Sequence, residues 1–313
     1  MLSRRGFLQG TIGAGLITMG QGSEQTRGQT RTGAARRRVI VDSQVHIWKP
    51  DSPDRPWVPN ITPQLAEPFT IEKLVPMMDE AGVDRAIIVP PSWEGDRIDY
   101  ALEAARRYPN RFAVMGRIPL KTRLSDADLL KWKSQPGLLG IRLTFLGGTA
   151  AWLTDGTADW VWPAAEKVNI PIMFLTAGTL PLFAPIAERH PRLTLIVDHM
   201  GLSSQVVKEG KVAAAIEQAV ALAKYPNVSV KVSAAPAYSS EPYPYKDMTG
   251  HIQRLFDAYG PRRCYWGTDI TNGFARASYA QRLRHFTEEL KFLSEDDKDW
   301  IMGRALMERL RWS

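Results

Sequence analysis

Cysteine is almost absent from this 313-residue chain: Cys264 is the only one. No internal disulfide and no cysteine-built zinc module can therefore hold the fold together. Histidine is scarce as well, with five in all, so the place of each one matters. No apolar run approaches the ~20 residues needed to cross a bilayer. Hydrophobic residues at 44% and charged residues at 23% exclude a disordered, collagen-like or multispanning chain. The net charge of +7 would invite nucleic acid if it were spread over one surface. It is instead concentrated at the start: residues 1–34 carry Arg4, Arg5, Arg27 and Arg31 against Glu24 alone, a net +3. Of the remaining +4, three charges belong to Arg36, Arg37 and Arg38. The chain beyond Arg38 is close to neutral, so the expected partner is a small molecule, with neither nucleic acid nor stable membrane insertion.

The first twenty residues read as an address rather than as fold. Ser3-Arg4-Arg5-Gly6-Phe7-Leu8 resembles a twin-arginine export signal, and a weakly apolar, Gly- and Thr-rich stretch runs from Thr11 to Met19. A plain basic tail is the alternative. Gln21 to Arg38 is rich in Gly, Gln, Thr and Arg, the composition of a solvated linker. Residues 1–34 are thus expected to be a signal peptide and linker, with Thr32-Gly33-Ala34 as the candidate cleavage site. The working domain is expected over residues 35–313, in the bacterial periplasm, with the twin-arginine machinery a partner in transit only.

From Val39 onward, short apolar runs alternate with longer segments of helical period, the pattern of a parallel α/β fold. The runs are Val39–Val45, Arg85–Val89, Phe112–Ile118, Leu139–Leu143, Pro171–Leu175, Leu193–Val197, Val228–Val232 and Arg263–Gly267. They are too continuously apolar for strands with one wet face, as expected where both faces of a sheet are covered. Thr70 reads as the cap of a helix over Ile71–Ala81 that stops at Gly82. Ser125 to Asp128 approximates a capping box before Leu129–Gln135, and Lys211–Lys224 is alanine-rich. Eight such units fit a single-domain (β/α)8 TIM barrel of roughly 250 residues. An open doubly wound sheet usually has a Gly-rich phosphate loop after its first strand; that place holds Gln44-Val45-His46-Ile47-Trp48.

In such a barrel, chemistry sits where strands run out into loops on the C-terminal face. Polar residues at those ends are Asp42, Gln44 and His46 on strand 1, Arg117 on strand 3, Arg142 on strand 4 and Thr176 on strand 5. They continue with Asp198 and His199 on strand 6, Lys231 and Ser233 on strand 7, and Thr268 and Asp269 on strand 8. The two-residue period of a strand puts Asp42, Gln44 and His46 on one face. Alone, His46 reads as an ordinary packing histidine; its coincidence with His199 and Asp269 makes it a catalytic candidate. His199 and Asp269 have ordinary alternatives as a loop-bonded residue and a turn cap. Arg142 and Arg117 suit bidentate binding of an anionic substrate, or pairing with barrel carboxylates such as Asp42. Lys231 is equally open between substrate contact and an internal ion pair. Trp57, Tyr238, Tyr243 and Tyr245 in the loops Lys49–Phe69 and Ala234–Thr249 either stack on a ring or pack the mouth.

Together these residues resemble the amidohydrolase-related, metal-dependent hydrolase superfamily, in its lactonase-like branch of dicarboxylate and sugar-acid lactonases. The matching phrases are Val41-Asp42-Ser43-Gln44-Val45-His46-Ile47-Trp48, Gly140-Ile141-Arg142-Leu143 and Ile196-Val197-Asp198-His199-Met200-Gly201. Pro226–Ser233 and Tyr259–Asp269 continue the likeness, which runs from Val39 to Trp312. The resemblance implies a strand-1 Asp-x-His-x-His motif, a strand-6 histidine and a strand-8 aspartate, matched by His46, His199 and Asp269. Gln44 stands where the first strand-1 histidine belongs, Thr176 ends a strand 5 without a histidine, and Gly303-Arg304-Ala305 replaces a closing Gly-Asn-Ala.

With two imidazoles gone, a metal-independent site is the favoured reading; the metal alternative is one Zn or Mn on His46, His199 and Asp269. The resemblance implies hydrolysis of a small carboxylate-bearing lactone. Asp269 would be the general base, His199 and His46 would donate to the oxyanion, and Arg142 and Arg117 would hold the carboxylate. Gln44 would orient the water or a ring oxygen. A metal-dependent decarboxylase or C–C hydrolase is one alternative, and a barrel retired to periplasmic ligand binding is the other.

Overall fold

The computed structural model describes residues 37–313. The twin-arginine motif, the cleavage candidate and the linker up to residue 36 lie outside the described residues. Within Arg38–Ser313 the strands are β1 (Val41–Val45), β2 (Arg85–Ile88), β3 (Phe112–Gly116), β4 (Leu138–Phe145), β5 (Ile172–Thr176), β6 (Leu195–Val197), β7 (Val228–Ser233) and β8 (Cys264–Gly267). They form one eight-stranded sheet in chain order, every ladder parallel. Helices such as Ile71–Ala81, Asp99–Arg107, Val212–Ala221 and Lys246–Tyr259 occupy the connections. This is the (β/α)8 barrel expected from the alternation, and all eight apolar runs are strands.

Burial on both faces explains why those runs lack polar alternation: β1, β3 and β7 are buried throughout. Outward residues such as Val45, Ile88, Val114 and Val228 pack with Leu74, Met78 and Ile216 of the helices. A second cluster of Val41, Ile87, Met115, Met173, Ile196 and Tyr265 fills the barrel and is plugged by Trp300, Leu306 and Leu310 of the closing segment. At Gly303 a Cβ would stand 2.7 Å from Val41 Cγ2 and 2.8 Å from the Val39 carbonyl. Only glycine lets the plug approach β1 so closely. Its neighbour Arg304, where the resemblance has asparagine, lays its guanidinium 3.8 Å over the Trp300 ring.

β1 and β8 share no regular ladder, and side chains close the seam instead. The Asp269 N–H donates to the Gln44 carbonyl at 3.0 Å. Asp42 Oδ1 accepts the N–H of Thr268 at 2.9 Å and of Gln44 at 3.0 Å; Oδ2 accepts the Tyr279 hydroxyl at 2.6 Å and the Thr268 hydroxyl. A register irregularity between Asp42 and Val45 breaks the alternation that would have put Asp42 beside Gln44 and His46. Asp42 is therefore a seam residue and pairs with neither arginine.

Two local expectations change as well. Thr70 makes no side-chain cap; the Ile71 N–H is met by the Tyr100 hydroxyl at 3.0 Å. The Ser125–Asp128 capping box is present, but its own residues form the first turn, so the helix runs Asp126–Lys133.

Replacing Asp42 with alanine strips four donors and should cost about 3–5 kcal/mol, whereas Asp42→Asn should cost only about 1 kcal/mol. The asymmetry arises because the Oδ2 partners are hydroxyls, which can turn and accept from an amide. Urea denaturation of the two variants measures it; equal losses would mean that Asp42 does not close the seam.

Candidate active site

Backbone strain marks the mouth of the barrel. His199 (φ 50°), Met200 (φ 61°), Ala234 (φ 61°) and Asp269 (φ 45°) all lie in the left-handed region, which disfavours side chains other than Asn and Asp. They fall just past the ends of β6, β7 and β8, so these three strands turn sharply soon after they end. The turns leave His199 and Asp269 facing a cavity of about 720 Å³. His46, Arg117, Arg142, His199 and Asp269 all line it, with Thr144, Tyr238, Asn272 and the apolar Trp93 and Trp152. Five of the seven expected site residues thus meet in one bowl. Gln44 and Lys231 do not reach its surface: both are fully buried beneath it.

A continuous polar chain runs under the bowl. The Arg142 Nε donates to Asp198 Oδ2 at 3.0 Å, and Lys231 Nζ pairs with Asp198 Oδ1 at 2.8 Å. Lys231 also donates to Gln44 Oε1 at 2.6 Å. Gln44 Nε2 lies 3.0 Å from His199 Nε2 and 3.3 Å from His46 Nε2. The Asp269 carboxylate completes it, 3.1 Å from His46 Nε2 and 3.5 Å from His199 Nε2. Lys231 is accordingly an internal ion-pair partner and not a substrate contact, because all of its surface is spent on Asp198, Gln44 and their surroundings. Gln44 likewise has both ends of its amide engaged and leaves nothing to orient a water in the cavity.

The tautomers follow from the partners. His46 Nδ1 sits 2.6 Å from the Val89 carbonyl, which can only accept, so Nδ1 carries a hydrogen, and its Nε2 faces Asp269 Oδ1 at 3.1 Å. His199 Nδ1 meets Ser233 Oγ at 2.8 Å. Burial pushes the His199 pKa down to about 4 against the pull of Asp269 and Asp198, so this ring is neutral at pH 7. Both Nε2 atoms are engaged within the cluster, His199 with the Gln44 amide and His46 with Asp269, rather than presented to an oxyanion.

Asp269 stays ionised. Burial works to raise its pKa, but the neighbouring His199 and hydrogen bonds from His46 and Asn272 outweigh that and hold it well below the usual carboxylate range. Its buried Oδ1 lies 3.1 Å from His46 Nε2. Asp198, between two cations, is pulled down to about 2 by Lys231 and Arg142 in spite of its burial.

The cations outnumber the acids. Arg117, Arg142 and Lys231 are buried with Asp198 and Asp269, while Asp96 is exposed on the rim. Arg117 Nε donates to the Pro90 carbonyl at 2.7 Å and Nη1 to Thr144 Oγ1 at 3.3 Å, but Nη2 is buried without a partner. Burial and the nearby Arg142 pull its pKa down to about 9, still charged at neutral pH. Arg142 shares Thr144, with Nη1 at 2.8 Å, so one threonine holds both guanidiniums. Thr144, Asn272 and the aromatic wall of Trp93 and Trp152 went unread in the sequence. Thr144 lies two residues beyond Arg142 on β4 and Trp93 just beyond β2, so a search one turn deeper into each loop would have found them. Of the loop aromatics, Tyr238 lines the cavity, whereas Tyr245 is buried on the Arg276 carbonyl and Tyr243 bonds Glu289.

The chain belongs to the amidohydrolase family, which it matches over residues 41–305. It is 27% identical over 237 residues to an L-fucono-1,5-lactonase of Burkholderia ambifaria, covering 73% of this chain and 79% of that protein. It is 25% identical over 240 residues to a 4-sulfomuconolactone hydrolase of Hydrogenophaga intermedia, covering 73% of each. Among solved structures, an amidohydrolase from Burkholderia multivorans with bound zinc has the same fold, with a TM-score of 0.74 and 20% identity over 87% of this chain and 99% of that one.

Neutral buried imidazoles impose a pH dependence. His199 and His285 are both lowered to about 4 by burial, below their unfolded value of about 6.5, so the unfolded chain binds more protons between those limits. Stability is full above pH 6.5 and falls through that window, by on the order of 3 kcal/mol per histidine at pH 4. Denaturant midpoints measured from pH 7 to pH 4 should drop accordingly, and His285→Phe should remove about half of the slope. A flat profile would show that these rings are not held neutral.

Proposed function

We propose that the protein opens a small lactone bearing a carboxylate or similar anion, using Asp269 as general base. The observation that carries this reading is the meeting, in one cavity, of an ionised buried carboxylate, Asp269, and a buried guanidinium, Arg117, whose Nη2 has no hydrogen-bond partner. A base and a cation with a hydrogen to spare face the same space. The lactone hydrolases among the relatives support the same reaction class.

In this mechanism a water donates one hydrogen to Asp269 Oδ1 while its oxygen attacks the lactone carbonyl carbon. The carbonyl oxygen becomes an oxyanion, met by donors that face the cavity: Arg142 Nη2, left over from Asp198 and Thr144, and the hydroxyl of Tyr238. Burial keeps that phenol protonated. Collapse of the tetrahedral intermediate breaks the bond to the ring oxygen, and Asp269 returns its proton to the leaving alkoxide. Arg117, steadied by Thr144, holds the substrate anion, whose charge offsets the excess positive charge. His46 and His199 position the base and Gln44 rather than donating to the intermediate. No metal ion takes part in these steps, because the His199 lone pair that would bind it is turned to the Gln44 amide and His46 Nε2 to Asp269. Residues 1–34 would carry the folded domain of residues 35–313 to the periplasm by the twin-arginine route; replacing Arg4 and Arg5 with lysine should leave the protein in the cytoplasm.

Asp269→Asn suits a left-handed backbone and should fold normally while losing roughly a thousandfold in kcat. Near-normal lactone opening by that variant would exclude the mechanism. Arg117→Met should raise KM for an anionic lactone roughly 100-fold, leave a neutral lactone unaffected, and raise Tm by removing an ill-compensated buried cation. An equal effect on both lactones would remove Arg117 from anion binding.

A further inference from the structure

We infer that the Gln44 carboxamide, locked by Lys231, stands in for a metal ion and keeps this site metal-free. Every step rests on donor chemistry. The Lys231 ammonium can only donate, so the Gln44 atom 2.6 Å from it is the amide oxygen and the amide cannot flip. The other end is then the NH2 group. One of its hydrogens goes to His199 Nε2 at 3.0 Å, which therefore accepts and leaves the His199 Nδ1 hydrogen for Ser233. His46 Nε2 lies 3.3 Å from the same amide nitrogen and 3.1 Å from Asp269 Oδ1, while its Nδ1 gives its hydrogen to the Val89 carbonyl.

The spacing approaches that of a tetrahedral metal site. Ligand atoms around a tetrahedral zinc, at bond lengths of ~2.0–2.1 Å, stand ~3.3 Å from one another. Here Gln44 Nε2 stands 3.0 Å from His199 Nε2 and 3.3 Å from His46 Nε2, and Asp269 approaches the same two imidazole nitrogens at 3.5 Å and 3.1 Å. One member of that set is an amide nitrogen, which is a hydrogen donor and not a ligand, and its hydrogen engages the His199 lone pair that a cation would need. The fixed charge of Lys231 lies directly behind it. Among the described residues, no group of three or more His, Cys, Asp or Glu is placed to hold a metal ion. The amide thus fixes the tautomer of His199 and stands between the two imidazoles, which is the positioning task that a bound metal performs, and it does so at a lower charge.

If this is the device, a single atom decides it. Gln44→Glu keeps an oxygen for Lys231 and replaces the NH2 by a second oxygen; Gln44→His supplies an imidazole. Zinc alone is the probe, in competition with a chromophoric chelator and by elemental analysis after dialysis, with circular dichroism to confirm folding. The native protein should retain no stoichiometric zinc. Each folded variant should take up about one ion per chain, at least 100-fold more tightly than the native protein. Nitrogen-15 spectra of the native protein should show His199 as the Nδ1–H tautomer, a readout that needs no variant to fold. One firmly held ion per native chain, an Nε2–H tautomer for His199, or folded variants as metal-poor as the native protein would each overturn the inference. Its fate is separate from that of the lactonase reading: a metal-free native protein inert to every lactone sinks the latter alone, and a zinc-loaded protein that opens lactones sinks only the former.

Discussion

A lysine ammonium with no exposed surface needs acceptors on every side, and the arrangement of this active site depends on where Lys231 finds them. Asp198 from the end of β6 neutralises it, and the oxygen of Gln44 from β1 takes another of its hydrogens. Because Asp198 also receives Arg142 from β4, one lysine ties together strands from opposite sides of the barrel. Removing one partner of such a set would strand the others in a medium where an unpaired charge costs several kcal/mol. The same constraint orients the Gln44 amide, the amide orients two imidazoles, and the imidazoles flank Asp269. The proposed general base is thus placed by a cation that never touches the cavity.

A second constraint works at the seam. Eight twisted strands must meet again after one turn, and here the last gap is bridged by a carboxylate rather than by a ladder. Asp42 gathers two backbone hydrogens and two hydroxyls, so β8 ends at the height that brings Asp269 opposite His46. The Asp269 N–H, which donates to the Gln44 carbonyl across the same seam, ties the closure of the barrel to the position of the proposed base.

The sequence made the barrel legible because parallel strands buried on both faces leave an unmistakable trace of eight apolar runs. It made most of the bowl legible because polar residues at the ends of such runs have little else to do; His46, His199, Arg117, Arg142 and Asp269 all stand out in this way. The roles of Gln44 and Lys231 were not readable. They depend on a contact between β1 and β7 across 187 positions, and no periodicity reports which residues meet inside a ring. Asp42 misled because a strand period assumes regular pairing, and β1 is irregular where it matters. The hydrogen-bonding character of the imidazoles was not readable either, because it is decided by partners from distant strands, here the Gln44 amide for His199 and the Val89 carbonyl and Asp269 for His46.

The plug of Trp300, Leu306 and Leu310 has a kinetic consequence. With the lower end of the barrel filled by Val41, Met115 and Tyr265 as well, the bowl has no back door, and a molecule that enters must leave by the same mouth. Ring opening creates a new acid group, so the departing molecule carries one more negative charge than the arriving one, past the same guanidiniums. On the proposed reading, the guanidiniums hold the product electrostatically at least as well as the substrate.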